Sequence, residues 1–337
     1  MNMKVLIIKL SSIGDCVQTL PALYSLRKGL GSKGAKARVD WLVEEAASSV
    51  LKDNPLLDNL IVVKRGWLRN FRENLKAARR IKKEGYDIVV DFQGLLKSGV
   101  WVMLSGGRRK VGFRNGRELS RLFLNEKLPP FDIERHAVDR YLDLARYLGG
   151  EKGEAVFPLD VEREKAVVKR KVEKSGIKGP FFVIVPRARW ETKLWKDDRF
   201  IELSKRLIEK TGLSVVIAGG AVDKKSLGDM AGAIGEKAAS LAGATDLKEL
   251  AALFRLSKGV VTVDSGPMHL ASASGAKVVA LFGPTAPWRT GPFGAGHVVI
   301  RKGIECSPCF KRACNDPKCM TGITVDEALE GALKILK

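Results

Sequence analysis

Short apolar runs alternate with longer amphipathic stretches along almost the whole chain, and no other feature limits its fold so tightly. Residues 5–10, 39–43, 60–63 and 88–92 are mostly apolar and bounded by polar segments, which predicts strands buried on both faces. Residues 17–30 and 70–83 carry helical patterns between them. The alternation restarts after Gly149-Gly150 and Phe157-Pro158. A charged helix over 161–174 leads to strands at Phe181–Val185, 214–218, 259–263 and 277–282, with helices at 198–210 and 247–254 and a last amphipathic helix at 323–336. Strands alternating with helices predict parallel sheets covered on both faces. Two such runs predict an α/β chain of two doubly wound domains, residues 1–160 and 161–337. Ligands of these sheets bind at the carboxyl ends of strands, so a cleft between facing domains is the expected site.

Charge narrows the partners. Lys and Arg number 59 against 38 Asp and Glu, a net +21 at pH 7, spread over both halves. A surplus of that size attracts nucleic acid, a membrane surface or a phosphorylated substrate. Residues 64–83 hold nine basic side chains against Glu73, and Arg108, Arg109, Lys110, Arg114, Arg117 and Arg121 face only Glu118. Each cluster reads equally as a solvated helix face. With 45% hydrophobic and 29% charged residues, a disordered or collagen-like chain is excluded. No apolar run approaches the roughly 18 residues of a membrane span. Lys9 interrupts the first apolar run, and no small-residue cleavage site follows, so an unprocessed cytoplasmic protein is expected.

Four segments follow predicted strands. Ser11-Ser12-Ile13-Gly14-Asp15 has one glycine and no trailing Lys-Ser/Thr, so it is neither a P-loop nor a dinucleotide fingerprint. Gly14 is expected to permit the turn and Asp15 to stand at the helix N-cap, where a carboxylate serves equally as a cap or a general base. The stretch from Pro186 to Trp195 offers Arg187, Arg189 and Lys193 to a phosphate, while Trp195 is expected under the next helix. In Asp264-Ser265-Gly266-Pro267-Met268-His269, Pro267 suits a first helical turn whose free amides form an anion site. Asp264 and Ser265 are equally caps there, and His269 a buried hydrogen-bonded residue. Gly219-Gly220-Ala221-Val222-Asp223 permits close approach, with Asp223 placed to accept from ribose hydroxyls.

Five ordered blocks carry a resemblance that covers nearly the whole chain. They are Lys9-Leu10-Ser11-Ser12-Ile13-Gly14-Asp15 with Thr19-Leu20-Pro21-Ala22-Leu23, Asp91-Phe92-Gln93-Gly94-Leu95-Leu96-Lys97-Ser98, His136-Ala137-Val138-Asp139-Arg140, Lys193-Leu194-Trp195 and the block from Asp264 to His269. Together they resemble the ADP-heptose:lipopolysaccharide heptosyltransferases, glycosyltransferase family 9, and are most similar to members that add the first heptose to the 3-deoxy-octulosonic acid (Kdo) of lipid A.

The resemblance implies a GT-B fold of two Rossmann-like domains, inversion at the anomeric carbon, ADP-heptose as donor, and no required metal or cofactor. Matched by position, it makes Asp15 the base and Lys193 the cation that meets the leaving diphosphate. It sets Arg189, Asp223, Asp264, Ser265, Gly266 and His269 at the donor. It sets Ser12, Gly14, Arg65, Arg69, Gln93, Lys97, Arg117, His136 and Arg140 at the carboxylates and phosphates of an anionic glycolipid. Arg187-Ala188-Arg189 departs from the small hydroxyl residues usual there, and Asp223 matches the ribose-binding acid only approximately. The expected setting is a monomer, peripheral to the anionic cytoplasmic face of the inner membrane and docked through the two basic clusters. Transfer to a later core sugar is the near alternative. Nucleic-acid binding rests on charge alone, without a recognised module or interleaved aromatics.

Cys306, Cys309, Cys314 and Cys319 are spaced C-x2-C-x4-C-x4-C, with Cys16 apart. Four thiolates this close can converge on zinc or an iron–sulfur centre, although the spacing is no standard zinc ribbon. A structural loop is the alternative, and a reducing cytoplasm disfavours disulfides.

Overall fold

The apolar runs form strands in both halves. In the computed structural model, which describes residues 3–31, 37–67 and 69–337, the chain divides into two units, Met1–Asp160 and Val161–Lys337. The first holds β1 (Lys4–Ile8), β2 (Arg38–Glu44), β3 (Asn59–Val63), β4 (Ile88–Asp91), β5 (Arg109–Phe113) and β6 (Glu126–Leu128), in the order β3-β2-β1-β4-β5-β6. The second holds β7 (Phe181–Val185), β8 (Ser214–Ile217), β9 (Ala238–Ser240), β10 (Val260–Val263), β11 (Val278–Phe282) and β12 (Val298–Arg301), in the order β12-β11-β10-β7-β8-β9. Every pairing is parallel. Counted from its own first strand, each sheet has the doubly wound order 3-2-1-4-5-6, with its switch point between the first and fourth strands.

The central strands β4, β7, β8, β10 and β11 are buried throughout, as parallel sheets covered on both faces require. The apolar pattern did not reveal β5, β6, β9 and β12, because these strands are very short or carry half-exposed and charged residues with few buried ones. β5 corrects one expectation. It takes Arg109 and Lys110 out of a supposed helix face, and Arg109 makes a two-pronged pair with Glu126 at 2.8 Å for each bond. The basic residues of the helix Phe71–Glu84 do form a solvated face, opposite a buried stripe of Asn74, Ala78 and Ile81. That helix ends at Gly85, whose φ of 64° is the left-handed conformation that glycine allows. Among the described residues no helix is long and apolar enough to cross a membrane.

In the first unit the helix Ile13–Gly31 lies against the helix Ala137–Tyr147, and the chain leaves the latter through Gly149-Gly150. A Cβ on Gly29 would overlap the carbonyl of Gly149 and stand 2.6 Å from the Glu151 nitrogen, both of them backbone and unable to yield cheaply. Gly29→Ala is expected to destabilise the first unit by about 1–3 kcal/mol. Denaturant unfolding followed by tryptophan fluorescence checks this, and an unchanged midpoint would refute the close approach.

Candidate functional site

The end of β1 is organised around a buried cation. Lys9 is 1% exposed; its Nζ donates to the Phe92 carbonyl at 2.9 Å and to Tyr141 Oη at 2.7 Å, and lies 3.9 Å from Asp15 Oδ1. Burial pulls the pKa of such an ammonium down, but the neighbouring Tyr141 and Asp15 outweigh it and hold the pKa above its ordinary value. Burial pushes the Tyr141 hydroxyl up as well, so it keeps its proton.

Asp15 is the third residue of its helix, not the N-cap. Its Oδ2 accepts from the Ser12 backbone nitrogen at 2.9 Å and from Ser12 Oγ at 2.7 Å, as the carboxylate of a capping box does. Gly14 has ordinary helical backbone, so the turn is made before it and does not use its freedom. The Asp15 side chain is 40% exposed and therefore open to a ligand.

The loop after β4 is stitched to the loop after β1. Buried Asp91 accepts from the backbone nitrogens of Gln93 at 2.9 Å and Gly94 at 3.0 Å, and from Ser98 Oγ at 3.1 Å. Burial raises its pKa while these bonds oppose the rise. Gln93 Oε1 accepts from Leu10 N and Ser11 N, both at 3.1 Å. Lys97 Nζ reaches Ser11 Oγ at 2.5 Å and Glu44 Oε1, at the end of β2, at 2.9 Å. Ser12, Gly14, Asp15, Gln93 and Lys97 thus come together at the switch point of the first sheet. Arg117 is carried on the same edge, its backbone nitrogen donating to Gly94 O at 2.9 Å and its side chain exposed.

His136 caps the helix Ala137–Tyr147, its Nδ1 accepting from Val138 N at 3.2 Å. Arg140 lies over the Phe131 ring at 4.6 Å, and Tyr141 ties this helix to Lys9. Arg65 and Arg69 are exposed in the segment that follows β3, the outermost strand on that side. Reading the sequence alone missed Glu44, Asp91 and Tyr141. A charged residue at the end of an otherwise apolar strand was the available signal for the first two.

The second sheet repeats the arrangement with opposite charge in the lead. Lys193 closes a short turn after β7, and its Nζ pairs with Asp264 Oδ2 at 2.6 Å, the side chains 15% and 6% exposed. The same oxygen accepts from Thr285 Oγ1 at 2.6 Å. Lys193 also sits 4.5 Å from the Trp190 ring centroid, and the Arg312 guanidinium lies 5.0 Å from it. Asp264 and Ser265 follow β10 and lead into the helix Gly266–Ala273, which has Pro267 in its first turn.

Ser265 stands at the N-cap of this helix, but neither it nor Asp264 caps it through a side-chain bond, and Ser265 Oγ lies 3.4 Å from Thr262 Oγ1. His269 is buried in the same helix. Arg187 is held by Asp197 in two bonds of 2.5 and 2.8 Å, and its Nε lies 4.0 Å from Asp223. Arg189 is exposed. Trp195 is buried as expected, edge-on to Phe200 of the next helix at 4.9 Å, with Nε1 donating to Ile323 O at 3.1 Å.

Cys306, Cys309, Cys314 and Cys319 line one cavity with Thr192, Lys311 and Asp316, and all are free thiols. Burial, then the other three sulfurs, raise the Cys319 pKa. Among the described residues no group of three His, Cys, Asp or Glu is arranged to hold a metal ion. Thr192 Oγ1 donates to Lys311 O at 2.9 Å, which ties the cysteine loop to the turn that carries Lys193.

A family model described as glycosyltransferase family 9 (heptosyltransferase) matches residues 74–320. The chain is 31% identical over 324 residues to the lipopolysaccharide heptosyltransferase 1 of Pseudomonas aeruginosa, covering 93% of this chain and 87% of that one. Its fold is similar to that of a glycosyl transferase family 9 structure from Veillonella parvula, with TM-score 0.86 and 23% identity over 100% of this chain and 98% of the other. It is also similar to the E. coli ADP-heptose lipopolysaccharide heptosyltransferase II structure, with TM-score 0.79 and 26% identity over 99% and 98% of the two chains.

Burial pushes the Cys16 thiol, packed beside Lys9 at the root of the first loop, up to about 12. Alkylation at about pH 8.5 should therefore modify the exposed Cys306 and Cys314 and spare Cys16 until the unit unfolds. The folded thiol stays protonated where the unfolded one ionises. Its stabilising contribution is thus complete below the unfolded pKa of 9.0 and is lost as pH rises towards about 12. Rapid labelling of Cys16 in the native protein, read by peptide mass, would contradict this placement.

Proposed function

The chain belongs to glycosyltransferase family 9, and on that premise we propose that it moves L-glycero-D-manno-heptose from ADP-heptose to the Kdo of Kdo-lipid A, with inversion. The observation that carries the reading is a division of charge. An accessible carboxylate, Asp15, stands at the first switch point, and a cation beside a helix N-terminus, Lys193, stands at the second.

Asp15 takes the proton from the acceptor hydroxyl as that oxygen bonds to the anomeric carbon of the heptose. The bond from that carbon to the β-phosphate oxygen breaks, and its electron pair leaves with ADP. Lys193 and the uncapped amides near Ser265 and Gly266 meet the charge that develops there. In this reading they supply the positive charge of the step, and no metal is required. The diphosphate draws Lys193 from Asp264, which is then able to hold heptose hydroxyls while Thr285 keeps it in place. Asp223 accepts from the ribose, Arg189 reaches the phosphates, and His269 supports the loop from inside the helix.

On the acceptor side, Ser12 and Gly14 shape the loop that presents Asp15. Gln93, Lys97, Arg117, His136 and Arg140, with Arg65 and Arg69 further out, supply donors for carboxylates and phosphates. We read the protein as a monomer that works at the anionic cytoplasmic face of the inner membrane. Transfer to a later core sugar is the second reading, favoured by the likeness to a heptosyltransferase II structure.

Asp15→Asn should lower kcat about 10²–10⁴-fold and leave ADP-heptose binding by calorimetry as in the parent. Near-normal turnover would refute the base. Lys193→Ala should weaken donor binding and lower kcat together; a variant unchanged in both would remove Lys193 from the diphosphate.

A further inference from the structure

The cysteine segment, residues 304–319, takes no part in the proposed transfer step, yet it is fastened to the loops that carry Lys193 and Thr285. The backbone nitrogens of Cys309 and Phe310 donate to the Pro284 carbonyl at 3.1 and 2.8 Å, one residue before Thr285, whose hydroxyl holds Asp264. Ser307 Oγ donates to Gly283 O at 2.7 Å. A Cβ on Gly283 would stand 2.6 Å from Met320 Sδ and 3.1 Å from Cys319 Sγ, so the chain leaving β11 runs hard against the far end of the segment. On the other side Thr192 Oγ1 donates to Lys311 O at 2.9 Å. Phe310-Lys311-Arg312 is thus held both from the turn before Lys193 and from the loop before Thr285.

What this fixation presents is Arg312. Its guanidinium lies over the Trp190 ring, 5.0 Å from the centroid, and Lys193 Nζ is 4.5 Å from the same centroid. Trp190 is half-buried and Arg312 exposed. Lys193 has Asp264 as counter-ion at 2.6 Å, whereas among the described residues no carboxylate pairs with Arg312. The contact of an exposed arginine with a ring contributes little, and the like charge of Lys193 on the same ring works against it. An arriving anion reverses that repulsion. Arginine then offers forked donors that grip two phosphate oxygens, and lysine a point charge.

We propose that Arg312 is a second cation for the diphosphate of the nucleotide donor and grips its β-phosphate, the group that departs with the electron pair. Because it shares a ring with Lys193, it meets the phosphate that Lys193 meets. Arg312 has this role only on the donor reading given above, which left the cysteine segment without a part. Arg187 is nearer to Lys193 in sequence, but Asp197 already engages it in two bonds of 2.5 and 2.8 Å, so it is the poorer candidate. The cysteine segment thereby gains a function that needs no metal: it carries an arginine to the edge of the second sheet.

Calorimetric titration of the full chain with ADP, and with AMP, which lacks the β-phosphate, tests this without requiring transfer. Arg312→Ala removes an exposed side chain and leaves the core intact. It should bind ADP about tenfold or more weakly than the parent and bind AMP as the parent does. Arg312→Lys, which keeps the charge and loses the fork, should fall between. Arg163→Ala takes the same charge from the exposed face of the helix Glu162–Lys174 and should bind both nucleotides as the parent does. The role of Arg312 is overturned if Arg312→Ala binds ADP as the parent does, if ADP and AMP weaken equally, or if Arg163→Ala loses as much. Where the parent binds ADP, each of these results overturns Arg312 alone. A parent that binds neither nucleotide overturns the donor reading, and the role of Arg312 with it.

Discussion

Parallel strands can be joined only by crossovers, so every strand of each sheet delivers its carboxyl end to one edge. In both units the chain winds outward from the first strand and then returns to the far side of it. The loops after the first and fourth strands consequently part towards helices on opposite faces, and the space between them is where polar side chains can reach a ligand. Asp15, Gln93 and Lys97 occupy that place in one unit, and Lys193, Asp264 and Ser265 in the other. The chemistry of this glycosyltransferase is thus laid out by topology before any side chain is chosen.

Two lysines, Lys9 buried and Lys193 half-buried, stand in different surroundings. Taking an ammonium out of water costs several kcal/mol unless acceptors replace the water. Lys9 has a carbonyl, a phenol and a carboxylate around it, from three different segments, so it is a fixed part of the fold that also sets the field at Asp15. Lys193 has essentially one ionic partner, Asp264, in a pocket it shares with Trp190. A single partner is easily exchanged for an arriving diphosphate, whereas a cage of three is not. The same residue type is fixed scaffold in one unit and, on the proposed reading, a ligand contact in the other because of what surrounds it.

The fold was legible because fully buried parallel strands write continuous apolar runs, and Phe181–Val185 coincides with its expected bounds. Edge strands such as β6 and β9, with three residues each, bury too little to leave that mark. At the candidate site, loop positions were legible from strand ends, but hydrogen-bond roles were not. Asp15 proved to be a residue of the first turn, and Ser265, although it stands at the N-cap, makes no side-chain cap bond, because neither the place where the backbone begins to turn nor the direction of a hydroxyl is fixed by residue identity alone. Glu44 was marked only by its place at a strand end and Thr285 by nothing, since each acts across a long sequence separation that no local pattern records.

The central claim is that this chain places the first heptose on Kdo. Intact-mass spectrometry of Kdo-lipid A incubated with the protein and ADP-heptose tests it most directly. The acceptor should gain a single heptose with release of an equal amount of ADP. An acceptor of unchanged mass, or a gain seen only on acceptors that already carry a heptose, would contradict it.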